Sequence, residues 1–362
     1  MTVKNKPSGF KVDTVQGSSA EITQLLENTT LGTPGKLRYK PTNIQHNLKL
    51  IKGLEFIQIK KGHRVLGTAG VVSRETNTSD SLYVRYLSVF SPQRAVKAKQ
   101  TSSNTSKNNR LKHLIGSQLT NHFEEPFNQQ NKSGCFYAYV ESENFQSKNL
   151  CELFGFNAQR TIQTLLFSRF FPKKKKSIQL LEKGKYSHFK HQLEQFYDNH
   201  SFLFTEELDQ FGNLYTLNHN GRAVAGLRAK SVTWDIVEIP GINGFLMQYV
   251  LPYLPLFRLL FSPRNLNFIA FDSAWHEDGW EHAIPELMEH ACADKNTHMG
   301  MFWGDAESKI TQNLLNSKKL GFLNKITPVV SAFVMLRPIN ITPVKLAELT
   351  KKPVFVSAVD MT

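Results

Sequence analysis

The sequence contains little cysteine, and its few cysteines are not spaced for pairing. Among 362 residues there are three, Cys135, Cys151 and Cys292, and no two of them form a Cys-x-x-Cys pair. This excludes a disulfide framework of the kind that holds small secreted domains together. We therefore expect a reducing compartment, and the cytoplasm is the simplest one.

The sequence also lacks a long uninterrupted apolar run. The longest, residues 245–261, is broken by Pro252 and Pro255 and contains Arg258. A bilayer span needs about 20 consecutive apolar residues, so we predict no membrane span and favour a buried or interface-forming pair of helices. The first ten residues are polar and show no apolar signal segment.

Acidic residues are scarce in the first half of the chain. The net charge is +14, yet residues 1–176 hold 27 Lys and Arg against 11 Asp and Glu, whereas the remainder holds 17 against 19. The excess positive charge is therefore confined to the first half. It predicts an anionic partner there, such as nucleotide phosphates, nucleic acid or anionic lipid.

The length and a weak internal repeat predict two domains. A chain of 362 residues is too long for one ordinary core. A helix predicted over residues 307–320 ends at Gly321-Phe322, as the helix after residue 144 ends at Gly155-Phe156, an offset of 166 residues. We predict a first domain over residues 1–172, a basic linker over 173–177 and a second domain over 178–362.

The most informative segment is 144–156, which reads Asn-Phe-Gln-Ser-Lys-Asn-Leu-Cys-Glu-Leu-Phe-Gly-Phe. It predicts an amphipathic helix closed by a glycine, followed by a strand over 161–170. Upstream, a predicted strand over 81–90 is followed by 95–109, a polar stretch without apolar periodicity that predicts a flexible loop. A basic helix with a single glycine, Gly116, comes next.

This order of elements resembles the GNAT N-acetyltransferase superfamily, and the whole chain resembles its tandem arrangement. Five positions match the pattern of the family's last helix: Asn144, Ser147, Leu150, Gly155 and Phe156. The resemblance implies an α/β fold with a mixed sheet. It implies two GNAT-like domains, each a mixed twisted sheet flanked by helices.

The resemblance also implies an acyl-coenzyme A co-substrate, acetyl-CoA or another acyl-CoA, bound by the first domain. In the family, main-chain N–H groups at a helix start bind the pyrophosphate, and the pantetheine arm pairs with a splayed strand. The positions carried over as cofactor-binding are Leu87, Ser88, Val89, Arg94, Arg110, Lys112, Gly116, Ser117 and Asn144. Most of the family's glycines are missing here, so the basic residues of 94–112 are expected to supply charge. The alternative is a solvated basic loop beside an empty site.

Two residues are candidates for the chemistry that the resemblance implies. Family members often use a tyrosine of the last helix as the acid, and Cys151 occupies that position. The alternative for Cys151 is a small buried apolar side chain. Glu141 is the candidate base, and spacing does not separate it from four neighbours: Glu143, Tyr86, Tyr139 and His113.

The second half matches the pattern less well, so we expect it to be a degenerate domain. Its segment 276–282 is acidic and would repel a pyrophosphate, and Ser317 stands at the tyrosine position. It is expected to form an acceptor pocket, a dimer surface or a scaffold. His282, Glu286 and His290 share one helical face, but His-Glu-x-x-His is absent, so we favour a polar helix face and assign no metal.

The sequence therefore predicts an acyl-CoA-dependent N-acyltransferase, most simply an acetyltransferase, acting on an unknown amine, with a homodimer possible. A non-catalytic tandem GNAT-like protein is one alternative. Another is a GNAT-fold transferase that uses aminoacyl-tRNA or a long-chain acyl donor. Binding of tRNA is not favoured, because the basic half shows no stripe of basic residues interleaved with aromatic ones.

Overall fold

The computed structural model describes residues 9–89, 112–262 and 264–362, whose strands pair into one mixed sheet. The predicted loop 95–109, together with Arg94 and Arg110, lies outside these residues. The strands are β1 Lys11–Gln16, β2 Arg38–Pro41, β3 Leu54–Lys61, β4 Arg64–Glu75, β5 Asp80–Val89, β6 Gly134–Glu141, β7 Asn157–Ser168, β8 Ile178–Leu180, β9 Asn213–His219, β10 Arg222–Glu238, β11 Asn265–His276, β12 Met299–Asp305 and β13 Val330–Ile339.

Helices cover both faces of the sheet. One of them, α3, runs over residues 112–118 and continues through the π-helical Leu119–Glu124 into Glu125–Gln129. The others are α1 Ala20–Asn28, α2 Ile44–Leu50, α4 Phe145–Leu153, α5 Tyr186–Phe196, α6 Gly241–Phe245, α7 Ala283–Asp294, α8 Lys309–Asn316, α9 Phe322–Ile326, α10 Pro343–Lys351 and α11 Ala358–Met361. No helix in the described ranges is long and apolar enough to cross a bilayer. The predicted α/β class with a mixed sheet is confirmed.

The two halves of the chain exchange their last strands at the centre of the sheet. The strand order is β1-β3-β4-β5-β6-β13-β7-β12-β11-β10-β9-β8, and β2 pairs separately with β10. β13 therefore lies between β6 and β7, and β7 lies between β13 and β12. Val334 of β13 faces Tyr139 on one side and Arg160 on the other. The predicted boundary at 173–177 stays a prediction, and neither half forms an unbroken sheet from its own strands.

The segment 144–156 forms the helix and glycine cap that its sequence predicts. The Asn144 side chain accepts a hydrogen bond from the Ser147 N–H at 3.1 Å and so caps the start of α4. At the other end Gly155 takes a φ of +82°, and the Phe156 N–H returns to the Cys151 carbonyl at 3.0 Å. This left-handed glycine cap turns the chain directly into β7.

The corresponding prediction in the second half is wrong in its details. The helix predicted over 307–320 is shorter, because α8 ends at Asn316 and Lys318 takes a φ of +54°. Gly321 does not cap that helix, since it lies at the start of the additional short helix α9. The Gly-Phe pair therefore repeats in the sequence without repeating its structural role.

We predict that the two halves fold only together, because each supplies a central strand to the other. A fragment of residues 1–176 lacks β13 and leaves the edges of β6 and β7 unpaired. Expressed alone, it should be aggregated or unfolded by circular dichroism and size-exclusion chromatography. Coexpression with residues 177–362 should restore a stable complex. A folded, monomeric 1–176 fragment would instead support an independent first domain.

Candidate active site

A cleft opens between β5 and β6 because these parallel strands pair over only part of their length. Their register runs from Asp80–Gly134 to Tyr83–Tyr137. Beyond that point β5 continues its pairing with β4, and β6 continues with β13. The two strands therefore diverge, and a gap separates the second part of β5 from β6.

A bulge marks the place where β5 leaves β6. Tyr86 takes a φ of +53°, and the β4–β5 register shifts between Thr68 and Gly70. An extra residue in one strand bends that strand and redirects its side chains. Arg85 and Tyr86 lie at this bulge, with the Arg85 guanidinium 4.1 Å from the centre of the Tyr86 ring.

Four of the predicted site residues lie on the two strands that border this cleft. Leu87, Ser88 and Val89 follow the bulge on β5, and Glu141 ends β6. The Glu141 carboxylate accepts a hydrogen bond from the Thr33 hydroxyl at 2.6 Å. The predicted pantetheine-binding residues and the predicted base therefore lie on neighbouring strands, and their roles stay predictions.

The predicted residues on α3 and α4 make local contacts of their own. A Cβ added at Gly116 would lie 3.0 Å from the Phe154 ring, so this glycine allows α3 to pack closely on the end of α4. The Ser117 hydroxyl donates to the Leu114 carbonyl at 2.9 Å, and Asn144 caps α4. Lys112 is half-buried in the first described turn of α3. Their proposed contacts with coenzyme A stay predictions.

Cys151 faces the apolar core. Its side chain belongs to a cluster with Phe136 and Phe156, and the residue is only 7% exposed. Burial raises the pKa of the Cys151 thiol to about 12. This environment favours the role of a small buried side chain over that of a proton donor.

Sequence reasoning missed a group of charged residues buried behind the cleft, which we call the buried ionic cluster. Its members lie on the strands β4, β5, β10 and β11, on the loop before β9 and on the helix α11. They are Arg74, Arg85, Glu207, Arg228, Lys230, Asp272 and Asp360. Each is less than one-tenth exposed. Burying a charged group costs desolvation free energy, so buried charges are usually paired with an opposite charge or have a function.

One ion pair of the cluster joins residues that lie 286 positions apart in the sequence. Both terminal nitrogens of Arg74 lie 2.7 Å from the carboxylate oxygens of Asp360 in a bidentate arrangement. Arg74 also donates to the Tyr137 hydroxyl at 2.8 Å and stacks 3.8 Å from the Phe204 ring centre. Because Asp360 lies on α11, this pair fixes the last described helix against β4.

Arg85 is the member of the cluster that lies on β5, directly before the bulge at Tyr86. Its guanidinium lies 4.1 Å from the Tyr86 ring centre, and Nη2 lies 3.4 Å from the main-chain oxygen of Thr362. Its Nε and Nη1 atoms are buried and have no hydrogen-bond partner in the described part of the chain. The nearest Asp360 oxygen is 4.0 Å from Nη1. A buried donor without an acceptor is costly, so an acceptor atom entering the cleft would be stabilised there.

Lys230 carries the most perturbed amine described. Its Nζ donates to the Thr362 hydroxyl at 2.9 Å, and the residue is 8% exposed. Burial first, and then the nearby Arg85 and Arg228, lower the pKa of Lys230 to about 7. A substantial fraction of this amine is therefore neutral at physiological pH.

The second half has a matching divergence of strands, but the chain itself fills it. β11 and β12 pair in parallel from Ile269–Gly300 to Phe271–Phe302, and Ser273 takes a φ of +49°. Beyond that point the carboxylate of Asp272 accepts from the Ala358 N–H at 2.7 Å. On β12, Asp305 accepts from the Val354 N–H at 3.0 Å.

Residues 354–358 are buried throughout, so they occupy the space between β11 and β12. The two halves therefore differ in this cleft. In the first half the strand β5 carries Arg85 with two donors that are unpaired among the described residues, whereas in the second half the chain's own segment lies between the strands.

One signal in the sequence points to the buried ionic cluster. Arg85 and Arg228 lie within strands whose neighbouring residues are apolar on both sides of the sheet. A strand buried on both faces has no solvent-facing position for a charge. Such a charge therefore needs a partner, although the sequence does not reveal that the partner of Arg74 lies 286 residues away.

Comparisons with known proteins identify the fold. No model of a protein family and no curated protein matches the sequence. A structure of Saccharomyces cerevisiae N-myristoyltransferase with bound myristoyl-CoA is similar over 97% of this chain and 86% of that one, with a TM-score of 0.59 and 10% identity. A second structure of that enzyme with myristoyl-CoA has a TM-score of 0.58 and 10% identity, and the match covers 97% of this chain and 89% of that one. A GCN5-related N-acetyltransferase from Sphaerobacter thermophilus gives 0.46 at 11% identity, covering 97% and 99%.

At such low identity the likeness to N-myristoyltransferase shows the fold alone. The chain shares the fold of N-myristoyltransferase, with a mixed sheet as its sequence predicted, and its division into two GNAT-like domains stays a prediction. The likeness covers nearly the whole chain and therefore includes both halves.

We predict that breaking the Arg74–Asp360 pair is strongly destabilising. Asp360→Ala leaves a buried guanidinium without its bidentate partner and should lower the free energy of unfolding by about 3–5 kcal/mol. Urea denaturation followed by tryptophan fluorescence measures this loss. The control Glu194→Ala removes an exposed pair with Lys190 and should cost no more than about 0.5 kcal/mol. Equal small effects of both changes would contradict the structural role of the buried pair.

We predict that the stability contribution of Lys230 depends on pH. The folded protein binds this proton with a pKa of about 7, against an ordinary value of 10.5, so the unfolded chain takes up a proton between these values. The loss of folding stability caused by burying the charged amine is therefore full below pH 7, and it disappears as the pH rises to about 10.5. Lys230→Met should gain stability relative to the parent at pH 7 and lose that gain by pH 10, as measured by urea denaturation at both values. A pH-independent difference would contradict the lowered pKa.

Proposed function

We propose that this protein is an acyl-CoA-dependent N-acyltransferase that binds its thioester in the cleft between β5 and β6. The observation that carries the proposal is the short parallel register that stops at Tyr83–Tyr137 and is followed by a bulge at Tyr86. The shared fold with N-myristoyltransferase, whose structures contain myristoyl-CoA, supports the same choice of donor.

The cleft suits an extended donor with a polar arm. An arm carrying amide groups can pair with the main chain of residues 87–89 as an added strand does, without reading side chains. The pyrophosphate then lies toward α3, where Lys112 provides positive charge, and the expected contacts of Arg94 and Arg110 fall outside the described residues. Helix starts favour anions because their N–H groups are unpaired.

The reaction requires an amine to attack the thioester carbonyl. The carbon–nitrogen bond forms, the carbon–sulfur bond breaks, the amine proton passes to a base and the thiol leaves protonated. Glu141 is the proposed base, since it lies on the β6 side of the cleft with its carboxylate held by Thr33. The proposed role of Cys151 as the acid has weaker support because its thiol is buried. The unpaired donors of Arg85 are suited to hold an oxygen of the acceptor or of the thioester.

The acyl group of the donor is proposed as acetyl, with a long-chain acyl group as the second candidate. The second candidate is favoured by the likeness to N-myristoyltransferase over 97% of this chain, which includes both halves. Isothermal titration with acetyl-CoA, octanoyl-CoA and myristoyl-CoA distinguishes the two. If none of these thioesters binds, the proposed function is wrong. Steeply salt-dependent binding of tRNA without thioester binding would favour an aminoacyl-tRNA donor.

We predict that Glu141→Gln impairs turnover without impairing donor binding. Loss of a positioned base typically lowers kcat by about 100-fold or more, and the amide keeps the size of the carboxylate. The matched control is Glu143→Gln, because Glu143 is two residues away and half exposed in a pair with Lys36. Steady-state kinetics with a panel of amines and titration with the preferred thioester measure both effects. Equal kcat values for the two variants would exclude Glu141 as the base.

A further inference from the structure

Exposed apolar side chains are concentrated on the connection between β10 and β11. In the described residues sixteen large apolar side chains are exposed, and seven of them fall within residues 242–256. The most exposed are Ile242 at 79%, Tyr253 at 76%, Tyr249 at 63% and Phe245 at 58%. We call residues 241–259 the apolar protrusion. A concentration of exposed apolar side chains on one segment of a folded protein marks a contact surface.

The apolar protrusion is built from short turns on a fixed base. It comprises the five-residue α6, a π-helical turn and two 3₁₀ turns, interrupted by Pro252 and Pro255. Its far end is anchored, because the Phe257 ring lies 5.9 Å from Phe170 and 5.8 Å from Phe322. The exposed side chains are therefore held outward by a packed aromatic base.

The same surface continues onto α9. Phe322, which packs on Phe257, begins this helix. Ile326 at its end is 47% exposed, and Val329, three residues later, is 68% exposed. The apolar face thus has contributions from two segments of the second half.

The charge of this surface has one sign. No acidic residue occurs between Glu238 and Asp272. The charged residues within the region are Arg258 and Arg264, both exposed, and Lys325 on α9 is exposed as well. Two copies of this surface facing each other would bring these cations together, which disfavours a symmetric dimer.

We propose that the apolar protrusion docks on the surface of a phospholipid bilayer that carries anionic headgroups. Phenylalanine and isoleucine side chains insert at the boundary between headgroups and acyl chains, where tyrosine is also favoured. The cations of Arg258, Arg264 and Lys325 face the negative headgroups. The contact is interfacial and needs no spanning helix. It is independent of the donor proposed for the β5–β6 cleft.

Sedimentation with vesicles tests this surface. The full chain is mixed with phosphatidylcholine vesicles, with and without phosphatidylserine, and the bound fraction is measured at two salt concentrations. We expect binding that phosphatidylserine strengthens and salt weakens. The triple variant Phe245→Ser, Tyr249→Ser and Tyr253→Ser should bind vesicles at least about tenfold more weakly than the parent chain. Absence of binding by the parent chain overturns the proposal.

A matched control separates a specific surface from general loss of apolar area. Leu180→Ser with Val344→Ser removes two side chains that are 54% and 72% exposed elsewhere, and it should leave vesicle binding unchanged. Circular dichroism confirms that both variants are folded. Equal binding by the triple variant and the parent overturns the proposal. Sedimentation velocity without lipid tests whether a second copy of the chain occupies this surface instead. A dimer that is lost in the triple variant and kept in the control would assign the surface to a second copy and overturn the bilayer contact.

Discussion

The exchange of β7 and β13 at the centre of the sheet is the constraint on which the rest of this structure depends. Because β13 pairs with both β6 and β7, the first half's sheet is completed by the end of the chain. β6 pairs with β13 along its whole length, from Gly134 to Glu141, whereas its pairing with β5 on the other edge ends at Tyr137. One edge of β6 thus joins the two halves, and its opposite edge borders the cleft.

The buried ionic cluster ties the two halves together a second time. Arg74 of β4 pairs with Asp360 of α11, and Arg228 of β10 pairs with Asp272 through its Nε and Nη2 atoms. The segment between them, residues 354–358, closes the cleft of the second half and carries α11 toward the first. One stretch of chain therefore fills one cleft and supplies the inner wall of the other. This gives a physical reason for the unequal roles that we propose for two halves of similar topology.

Much of the fold could be predicted from the sequence, because its signals are local. The helix at 145–153, its Asn144 cap and the Gly155 turn follow from residues a few positions apart. The GNAT resemblance at those positions led to the correct fold class, an α/β fold with a mixed sheet, and to β5 and β6 as the strands of interest.

The parts that could not be predicted depend on contacts distant in sequence. The partner of Arg74 lies 286 residues away, and the exchange of β7 and β13 leaves no local pattern. The Gly321-Phe322 pair shows the opposite error, since a local match suggested a helix cap where the structure has a new helix. Burial also decides what spacing cannot, as for Cys151, whose position in the pattern suggested chemistry and whose environment is the core.

The central claim is that the cleft between β5 and β6, and not its counterpart between β11 and β12, receives an acyl-CoA thioester. Hydrogen–deuterium exchange of the full chain, with and without the thioester that binds best, tests it most directly. The account predicts slower exchange in residues 84–89 and 138–141 with the thioester present, and no change in residues 272–276. Protection confined to residues 272–276, or absent from both strand pairs while the thioester is bound, would contradict it.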